Sequence, residues 1–276
     1  MSSEDITIYV ICHDLKSAKM AKNDELYTPL FVGADGQDTF EFLGDDTGDN
    51  ISKRNRYYSE LTGLYWMCKN SESKIIGLNH YRRYLSKSKL GGFLDKKDIE
   101  DYLKNHDIIV PKLYNNLGCL SNRENFMMAY FPSIPNIHDL TREVILEKSP
   151  EYLDAFDDVM KSNFTTHSNI FIGPKDLMND YVDWIFPLCS DLEDKINSIR
   201  GHPKRLMGYL TEVYFQVWIK HLNLKVKEVE PKFIGIKLNL SKFIVKTRTA
   251  RKIYETLILP YKKDKILKTS KKFIGN

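Results

Sequence analysis

The sequence predicts an α/β fold in which helices flank a mostly parallel central sheet. Short apolar runs rich in β-branched residues indicate buried strands, and residues 6–12 (ITIYVIC) are the clearest of them. Helical patterns alternate with these runs. In residues 208–221, for example, Leu210, Val213 and Val217 fall on one helix face. Alternating strands and helices along a chain are typical of a parallel sheet covered by helices.

The remaining elements follow from the same patterns. Further strands are predicted at residues 27–33, 74–78, 107–111, 168–172 and 225–229. Further helices are predicted at residues 57–69, 95–105, 138–161 and 175–192. Residues 113–135 are rich in Asn, Gly, Pro and aromatic residues, and we expect them to form a loop that covers the substrate.

Length and composition indicate one globular domain, residues 1–235, followed by a basic extension, residues 236–276. The chain has 276 residues, of which 42% are hydrophobic and 28% charged, which excludes a disordered chain, a coiled coil and a multi-pass membrane protein. We expect no signal peptide, because residues 1–14 lack a basic start and a long apolar stretch. The four cysteines are far apart and form no CxxC, which argues against a zinc ribbon and predicts a reducing, cytoplasmic compartment.

Charge is concentrated at the end of the chain. Residues 241–276 hold eleven Lys and Arg against two acids, a net charge of +9, which leaves −5 for the other 240 residues. Apolar residues are interleaved with these cations, so the segment is a candidate for contact with an anionic membrane surface. Nucleic acid is a less favoured partner, since the acidic remainder offers no second basic groove. A solvated tail packed on the domain is the structural alternative.

A basic motif, His80-Tyr81-Arg82-Arg83-Tyr84, follows the predicted strand at 74–78. Ligands of open α/β sheets bind beyond the carboxyl ends of the strands. Two guanidiniums beside an imidazole suit a phosphate or diphosphate. The structural alternative is a buried arginine paired with an acid of the domain.

Residues 44–52 (GDDTGDNIS) form a polar loop, hereafter the Asp-rich loop. The side chains of Asp45, Asp46, Asp49 and Asn50 offer oxygens to sugar hydroxyls, a ribose or a hard cation. The spacing does not match an EF-hand, and the chain contains neither a P-loop nor a GxGxxG motif. An Asx-rich turn explains the loop equally well.

Several longer strings give a more specific signal when they are taken together. They are GDDTGDNIS, YYSELTGLYWMCKN, IIGLNHYRRY, DIIVPK, HSNIFIGPKDLMNDYVDWIFPL, RLMGYLTEVYFQVWI and KVKEVEP. In order and spacing over about residues 6–231, they resemble a bacterial family of capsular and exopolysaccharide glycosyltransferases, long known only as a domain of unknown function. Some members are assigned as galactofuranosyl- or galactosyltransferases. The resemblance implies a GT-A-like fold, a nucleotide-sugar donor and a growing glycan acceptor. Our first hypothesis is a UDP-sugar donor and a lipid-linked oligosaccharide acceptor at the inner face of the plasma membrane.

The resemblance also gives the candidate residues their roles. GT-A enzymes usually hold a divalent cation with Asp-x-Asp at the donor diphosphate, where this chain has its basic motif. We therefore expect transfer that needs no metal or depends on it weakly, with Mn²⁺ or Mg²⁺ as the alternative and Asp45, Asp46 and Asp49 as the ligands in that case. Expected donor contacts are Asp49, Asn50, Asn55, Glu60, His80, Arg82 and Arg83, and expected acceptor contacts are Ser168, Asn169 and Tyr84.

An inverting transfer needs a base that deprotonates the acceptor hydroxyl. Glu212, near the start of a late helix, is the first candidate, and Asp46, Asp49 and His167 are the alternatives. Two other functions stay open: a non-catalytic protein that binds carbohydrate or polyanions, and a phosphohydrolase that uses the Asp-rich loop with a cation.

Overall fold

The structure is a computed structural model, and it describes residues 5–88, 90–115, 121–125, 134, 136–166, 168–199, 204–235 and 256. Contacts divide the chain into two units. The first consists of Met1–Lys112 and Thr166–Gly235, and the described part of the second lies within Leu113–Thr165, with residue 256 in addition. The predicted domain boundary at residue 235 stays a prediction, because the basic extension lies outside the described residues apart from residue 256.

The described part of the chain contains ten strands. In chain order they are β1 (Ile6–Cys12), β2 (Tyr27–Phe31), β3 (Leu43–Gly44), β4 (Ile75–His80), β5 (Arg83–Ser86), β6 (Ile108–Pro111), β7 (Tyr114–Asn115), β8 (Phe164–Thr165), β9 (Phe171–Pro174) and β10 (Val226–Phe233). Eight of them form the sheet of the first unit, in the order β3-β2-β1-β4-β5-β10-β6-β9. β7 and β8 form a two-stranded antiparallel sheet in the second unit.

The large sheet is mixed, so the prediction of a mostly parallel sheet is not confirmed. β1 runs parallel to β2 and β4, β2 to β3, and β10 to β6. β5 and β9 run antiparallel to β4, β10 to β5, and β9 to β6. Because β9 pairs with both β4 and β6, the strands β4, β5, β10, β6 and β9 close on one another. A short apolar run shows that a strand forms but carries no sign of its direction.

Nine α-helices lie in the described part of the chain. They are α1 (Leu15–Met20), α2 (Asn55–Tyr58), α3 (Leu61–Asn70), α4 (Lys96–Leu103), α5 (Asn122–Asn125), α6 (Ile137–Lys148), α7 (Leu153–Lys161), α8 (Lys175–Ile199) and α9 (Leu206–His221). The helix predicted at 57–69 is divided into α2 and α3 by Ser59, whose φ is 51°. The helix predicted at 138–161 is divided by a 3₁₀ turn at Pro150–Tyr152. No helix among the described residues is long and apolar enough to cross a membrane.

β1 and β4 lie at the centre of the first unit's core. Successive residues of each strand are buried, as expected for strands whose two faces are both covered. Tyr84 belongs to this core: it is 0% exposed, and its ring stacks on Phe93 with the centroids 4.4 Å apart. Its hydroxyl accepts a hydrogen bond from the backbone N–H of Lys22 at 2.9 Å. This burial corrects the prediction that Tyr84 contacts an acceptor.

The second unit is built mainly on α6 and α7. Arg142 donates two hydrogen bonds of 2.9 Å to the carboxylate of Asp157 and so joins the two helices. The side-chain amide of Asn122 donates to the carbonyl oxygens of Val159 and Phe164. Most of the predicted loop at 113–135 lies outside the described residues, so its covering role stays a prediction.

Candidate functional site

The candidate site begins at the carboxyl ends of β1 and β4, which lie side by side because the strands are parallel neighbours. His13 follows β1 and Tyr81 follows β4, and their ring centroids are 5.7 Å apart. In α/β sheets this end of the strands is where ligands bind. The fold thus brings the basic motif to the edge where the sequence predicted a site.

Glu60 and Asn169 meet near this edge although 109 positions separate them in the chain. Glu60 is the residue immediately before α3 and is 7% exposed. Its Oε1 accepts a hydrogen bond of 2.9 Å from Asn169 Nδ2, which also donates to the carbonyl oxygen of Gly208 at 3.1 Å. Asn169 therefore fixes the start of α3 against α9. Its own Oδ1 is buried and has no partner among the described residues.

Glu212 lies in α9, near the negative charge of Glu60 and the positive charges of Arg83 and Arg205. It is 8% exposed, and burial raises its pKa well above the usual value for a carboxyl group. The negative charge of Glu60 raises this pKa further, while the guanidiniums of Arg83 and Arg205 lower it. Two carboxyl groups that repel each other cannot both ionise at low cost, and this repulsion adds to the rise in the pKa of Glu212.

His80, the last residue of β4, is neutral at physiological pH. Burial lowers the pKa of its imidazole to about 4, and the neighbouring charges of Arg83, Arg205 and His13 also lower it, against the opposing effect of Glu60. Its Nε2 is buried and meets no partner in the described part of the chain. We call Glu60, His80, Arg83, Asn169 and Glu212 the carboxylate site.

The charges of this region favour an anionic ligand. Burial raises the pKa of Glu212 and lowers that of His80, so it disfavours charge on both groups, and the positive charges of Arg83 and Arg205 act on both. Arg82, also of the basic motif, has its guanidinium 4.9 Å from the centroid of the Tyr81 ring and a buried Nε with no partner among the described residues. Guanidiniums bind phosphate oxygens in pairs, so a diphosphate suits this excess of positive charge.

The side chains of the Asp-rich loop form hydrogen bonds within the loop and with adjacent segments. The carboxylate of Asp45 is 0% exposed and accepts hydrogen bonds from the backbone N–H groups of Gly33 and Ala34 and from the hydroxyl of Ser52. Asn50 Nδ2 donates to two carbonyl oxygens of the loop, at 3.0 Å each. These contacts match the Asx-turn interpretation of the loop.

Asp49 lies at the opposite end of α3 from Glu60. Its Oδ1 accepts a hydrogen bond from the hydroxyl of Tyr65, and its backbone N–H donates to Asn70, the last residue of α3. A rise of 1.5 Å per residue places Asn70 about 15 Å along the helix axis from Glu60. The structure therefore does not bring Asp49, or Asn50 beside it, into the carboxylate site. Asp46, in the same loop, is exposed.

The donor atoms of the loop do not fit a metal ion. The oxygens of Asp45 are already occupied by N–H and O–H donors. No group of three or more His, Cys, Asp or Glu within the described ranges is arranged to hold an ion. Asp45, Asp46 and Asp49 therefore do not form a metal site in the described part of the chain.

The remaining predicted residues have other placements. Asn55 Nδ2 donates to the carbonyl oxygen of Ser59 at 2.8 Å, so Asn55 supports the turn that places Glu60. Ser168 is buried, and its carbonyl oxygen accepts a hydrogen bond from Thr166 Oγ1 at 3.1 Å. His167 lies outside the described residues, so its predicted role stays a prediction.

Two residues of this region were not singled out in the sequence. Asn79 is 0% exposed, and neither its Oδ1 nor its Nδ2 has a partner among the described residues. Asn79 ends the otherwise apolar run IIGLN, and this position of a polar residue is the sequence feature that could have identified it. Arg205 lies beside the site only because α9 packs there, and no sequence pattern marks it.

Comparison with known proteins gives two matches. Residues 7–223 match a family model described as "Domain of unknown function (DUF4422)". A solved structure, the apo form of the bifunctional glycosyltransferase WbbM, is similar with a TM-score of 0.73 and 28% sequence identity. The match covers 84% of this chain and 46% of that one, so this chain spans less than half the length of WbbM. No curated protein matches the sequence.

Proposed function

We propose that this chain, which belongs to the DUF4422 family, is a glycosyltransferase that moves a sugar from a nucleotide donor to a glycan acceptor. The mixed α/β fold is similar to that of a glycosyltransferase, which supports sugar transfer. One observation carries the proposal. Two carboxyl groups, Glu60 and Glu212, lie among guanidiniums near the carboxyl ends of the central strands.

The arrangement matches the charges that sugar transfer develops. When the bond between the sugar C1 and the phosphate oxygen breaks, its electron pair stays on the diphosphate. Positive groups already in place lower the barrier, because they need not reorganise as the charge appears. Arg83 and Arg82 are the residues of the basic motif that we assign to this task.

Glu212 is the base in this proposal. The acceptor hydroxyl attacks C1 and transfers its proton to the carboxylate, and the configuration at C1 is inverted. A base is most effective when its pKa lies near the working pH, and the raised pKa of Glu212 moves it in that direction. Arg83 and Arg205 favour the ionised form that accepts the proton.

We also propose that sugar transfer does not strictly require a metal ion. By the family resemblance, the basic motif takes the place of the Asp-x-Asp pair that holds the cation in GT-A enzymes, and the oxygens of Asp45 are occupied by N–H and O–H donors. We expect turnover to persist in EDTA. Activity that disappears in EDTA and returns with Mn²⁺ would overturn this part and leave the transfer itself untouched.

The finer assignment rests on the family resemblance in the sequence. We propose UDP-galactofuranose or UDP-galactose as donor and a lipid-linked oligosaccharide of capsular or exopolysaccharide synthesis as acceptor. The net charge of +9 in residues 241–276 supports a peripheral position at the inner face of the plasma membrane. Sedimentation with vesicles of phosphatidylglycerol, but not of phosphatidylcholine, is the expected result. Equal sedimentation with both would reject the electrostatic contact.

The test of the proposal combines binding and turnover. A panel of UDP-sugars, including the furanose and pyranose forms of galactose, is screened by thermal shift, since a ligand that binds the folded state raises the Tm. Product formation is then followed with a lipid-like acceptor. We expect Glu212→Gln to keep the thermal shift and lose turnover, with Asp49→Asn as the matched control. A thermal shift with sugars but no transfer from any donor would favour the non-catalytic binding protein instead.

A further inference from the structure

Two residues beside the carboxylate site have backbones that side-chain-bearing residues rarely adopt. Ser59 has φ 51° and ψ −129°, and Arg205 has φ 60° and ψ 16°. Glycine is the residue that takes positive φ without steric cost, and neither position holds one. Such conformations persist where the surrounding structure enforces them, and they are concentrated at functional sites.

The two residues are joined to each other. Arg205 Nε donates a hydrogen bond of 3.3 Å to Ser59 Oγ, and the backbone N–H of Arg205 donates to the carbonyl oxygen of Arg56 at 2.9 Å. In the first turn of α9, Gly208 packs so closely that a Cβ there would lie 3.0 Å from the Cβ of Ser59. The start of α9 is therefore held against the junction of α2 and α3.

The joined residues flank both carboxyl groups. Ser59 immediately precedes Glu60, and Arg205 immediately precedes the helix that carries Glu212. The charge of Arg205 acts on Glu212 and on His80, as the charge of Arg83 does. Arg205 is exposed, so a ligand can reach its guanidinium. An arginine has five N–H donors, and the bond to Ser59 uses one of them.

We propose that Arg205 binds the diphosphate of the nucleotide donor together with Arg83, with Ser59 fixing the orientation of the guanidinium. The inference rests on the proposed function and extends it to a residue outside the basic motif. As the C1–oxygen bond of the donor breaks, the electron pair stays on the distal phosphate, and the N–H groups of Arg205 donate to its oxygens. A second guanidinium distinguishes two phosphates from one, so the site should discriminate UDP from UMP.

The experiment measures UDP and UMP affinities by isothermal titration calorimetry on the full chain. We expect Arg205→Gln to weaken UDP binding about tenfold, because a hydrogen bond to a charged group is lost. UMP binding should change by less than about twofold, and Arg205→Lys should be intermediate because a point charge lacks the planar fork. Lys204→Gln, which removes an exposed cation one residue earlier, is the matched control and should leave both affinities unchanged.

A second variant separates binding from folding. Glycine accepts the backbone of residue 205 without strain, so Arg205→Gly should lose the same UDP affinity while its Tm does not fall. UDP affinity that stays at the wild-type value in both Arg205→Gln and Arg205→Gly overturns the inference. A wild-type protein that binds neither UDP nor any UDP-sugar overturns the proposed function itself, and these two outcomes are distinguishable.

Discussion

The Asp-rich loop and the carboxylate site contain similar residue types and use them differently. In the loop, the carboxylate of Asp45 accepts three hydrogen bonds from its immediate surroundings. In the carboxylate site, Glu60 and Glu212 repel each other, and Asn169 Oδ1 and His80 Nε2 lack partners among the described residues. Buried polar groups that have hydrogen-bond partners stabilise a fold, whereas buried polar groups without partners indicate a candidate ligand site.

The comparison teaches that a dense polar motif is not by itself a site. The loop attracts attention in the sequence because its acids are adjacent. The carboxylate site draws on segments around residues 60, 80, 169 and 212, and only the folded chain brings them together. The predictions below follow from this difference, and each compares a residue of one region with a matched change.

The largest expected effect is on turnover. Glu212→Gln should lower kcat by about 10²–10⁴-fold, the usual contribution of a positioned base. Asp49→Asn, an identical chemical change in the Asp-rich loop, should leave kcat within about twofold. Steady-state kinetics with the best donor of the panel measure both. Equal losses in the two variants would remove the distinction between the regions.

The second effect is on the free energy of unfolding, and here we expect the larger change in the Asp-rich loop. Asp45→Asn should lower the free energy of unfolding by about 2–3 kcal/mol, because a buried carboxylate that accepts backbone N–H bonds is replaced by an amide that also carries donors. Asp49→Asn should cost less than about 0.5 kcal/mol, since Asp49 is exposed. Urea unfolding gives both values. An Asp45→Asn protein as stable as wild type would contradict the structural role of the loop.

The third effect depends on pH. The raised pKa of Glu212 means that the folded state keeps a proton which the unfolded chain releases above the ordinary carboxyl pKa. Rising pH therefore destabilises the wild type until Glu212 ionises in the folded state, by at most about 1.4 kcal/mol per pH unit. Glu212→Gln has no such titration, so its Tm relative to that of the wild type should rise as the pH increases above the ordinary carboxyl pKa. A constant difference would mean that Glu212 does not hold its proton.

The smallest effect tests the contacts within the loop. Gly48 and Gly36 both have positive φ, 56° and 69°, so alanine is strained at either position. A Cβ on Gly48 would displace the side chain of Asn70, whereas nothing lies within 4 Å of a Cβ on Gly36. Gly48→Ala should therefore lose about 1 kcal/mol more than Gly36→Ala in urea unfolding. Equal losses would show that the bonds of Asn70 contribute nothing.

Local patterns predicted most of the elements but not their arrangement. The strand at 6–12 is present with the predicted bounds, since an apolar β-branched run determines it locally. The helix predicted at 57–69 is interrupted at Ser59, whose backbone has a positive φ that a serine in the sequence does not predict. The direction of β9 was beyond prediction, because it depends on pairing with β4 and β6.

The candidate site was predictable residue by residue but not as a set. Glu60, His80, Arg83, Asn169 and Glu212 were all named from the sequence, and the fold brings them together. Tyr84 and Asp49 were named on the same grounds, and the fold places one in the core and the other at the far end of α3. Whether a named residue lies in the site depends on its spatial distance from residues far away in the sequence, and a single sequence does not contain those distances.

Hydrogen exchange with and without UDP tests the central claim most directly, because one experiment covers both regions. We expect UDP to slow amide exchange in the segments around residues 59–64, 79–84 and 204–212 and to leave residues 44–52 unchanged. Slowed exchange confined to residues 44–52 would contradict the account and return the donor to the Asp-rich loop.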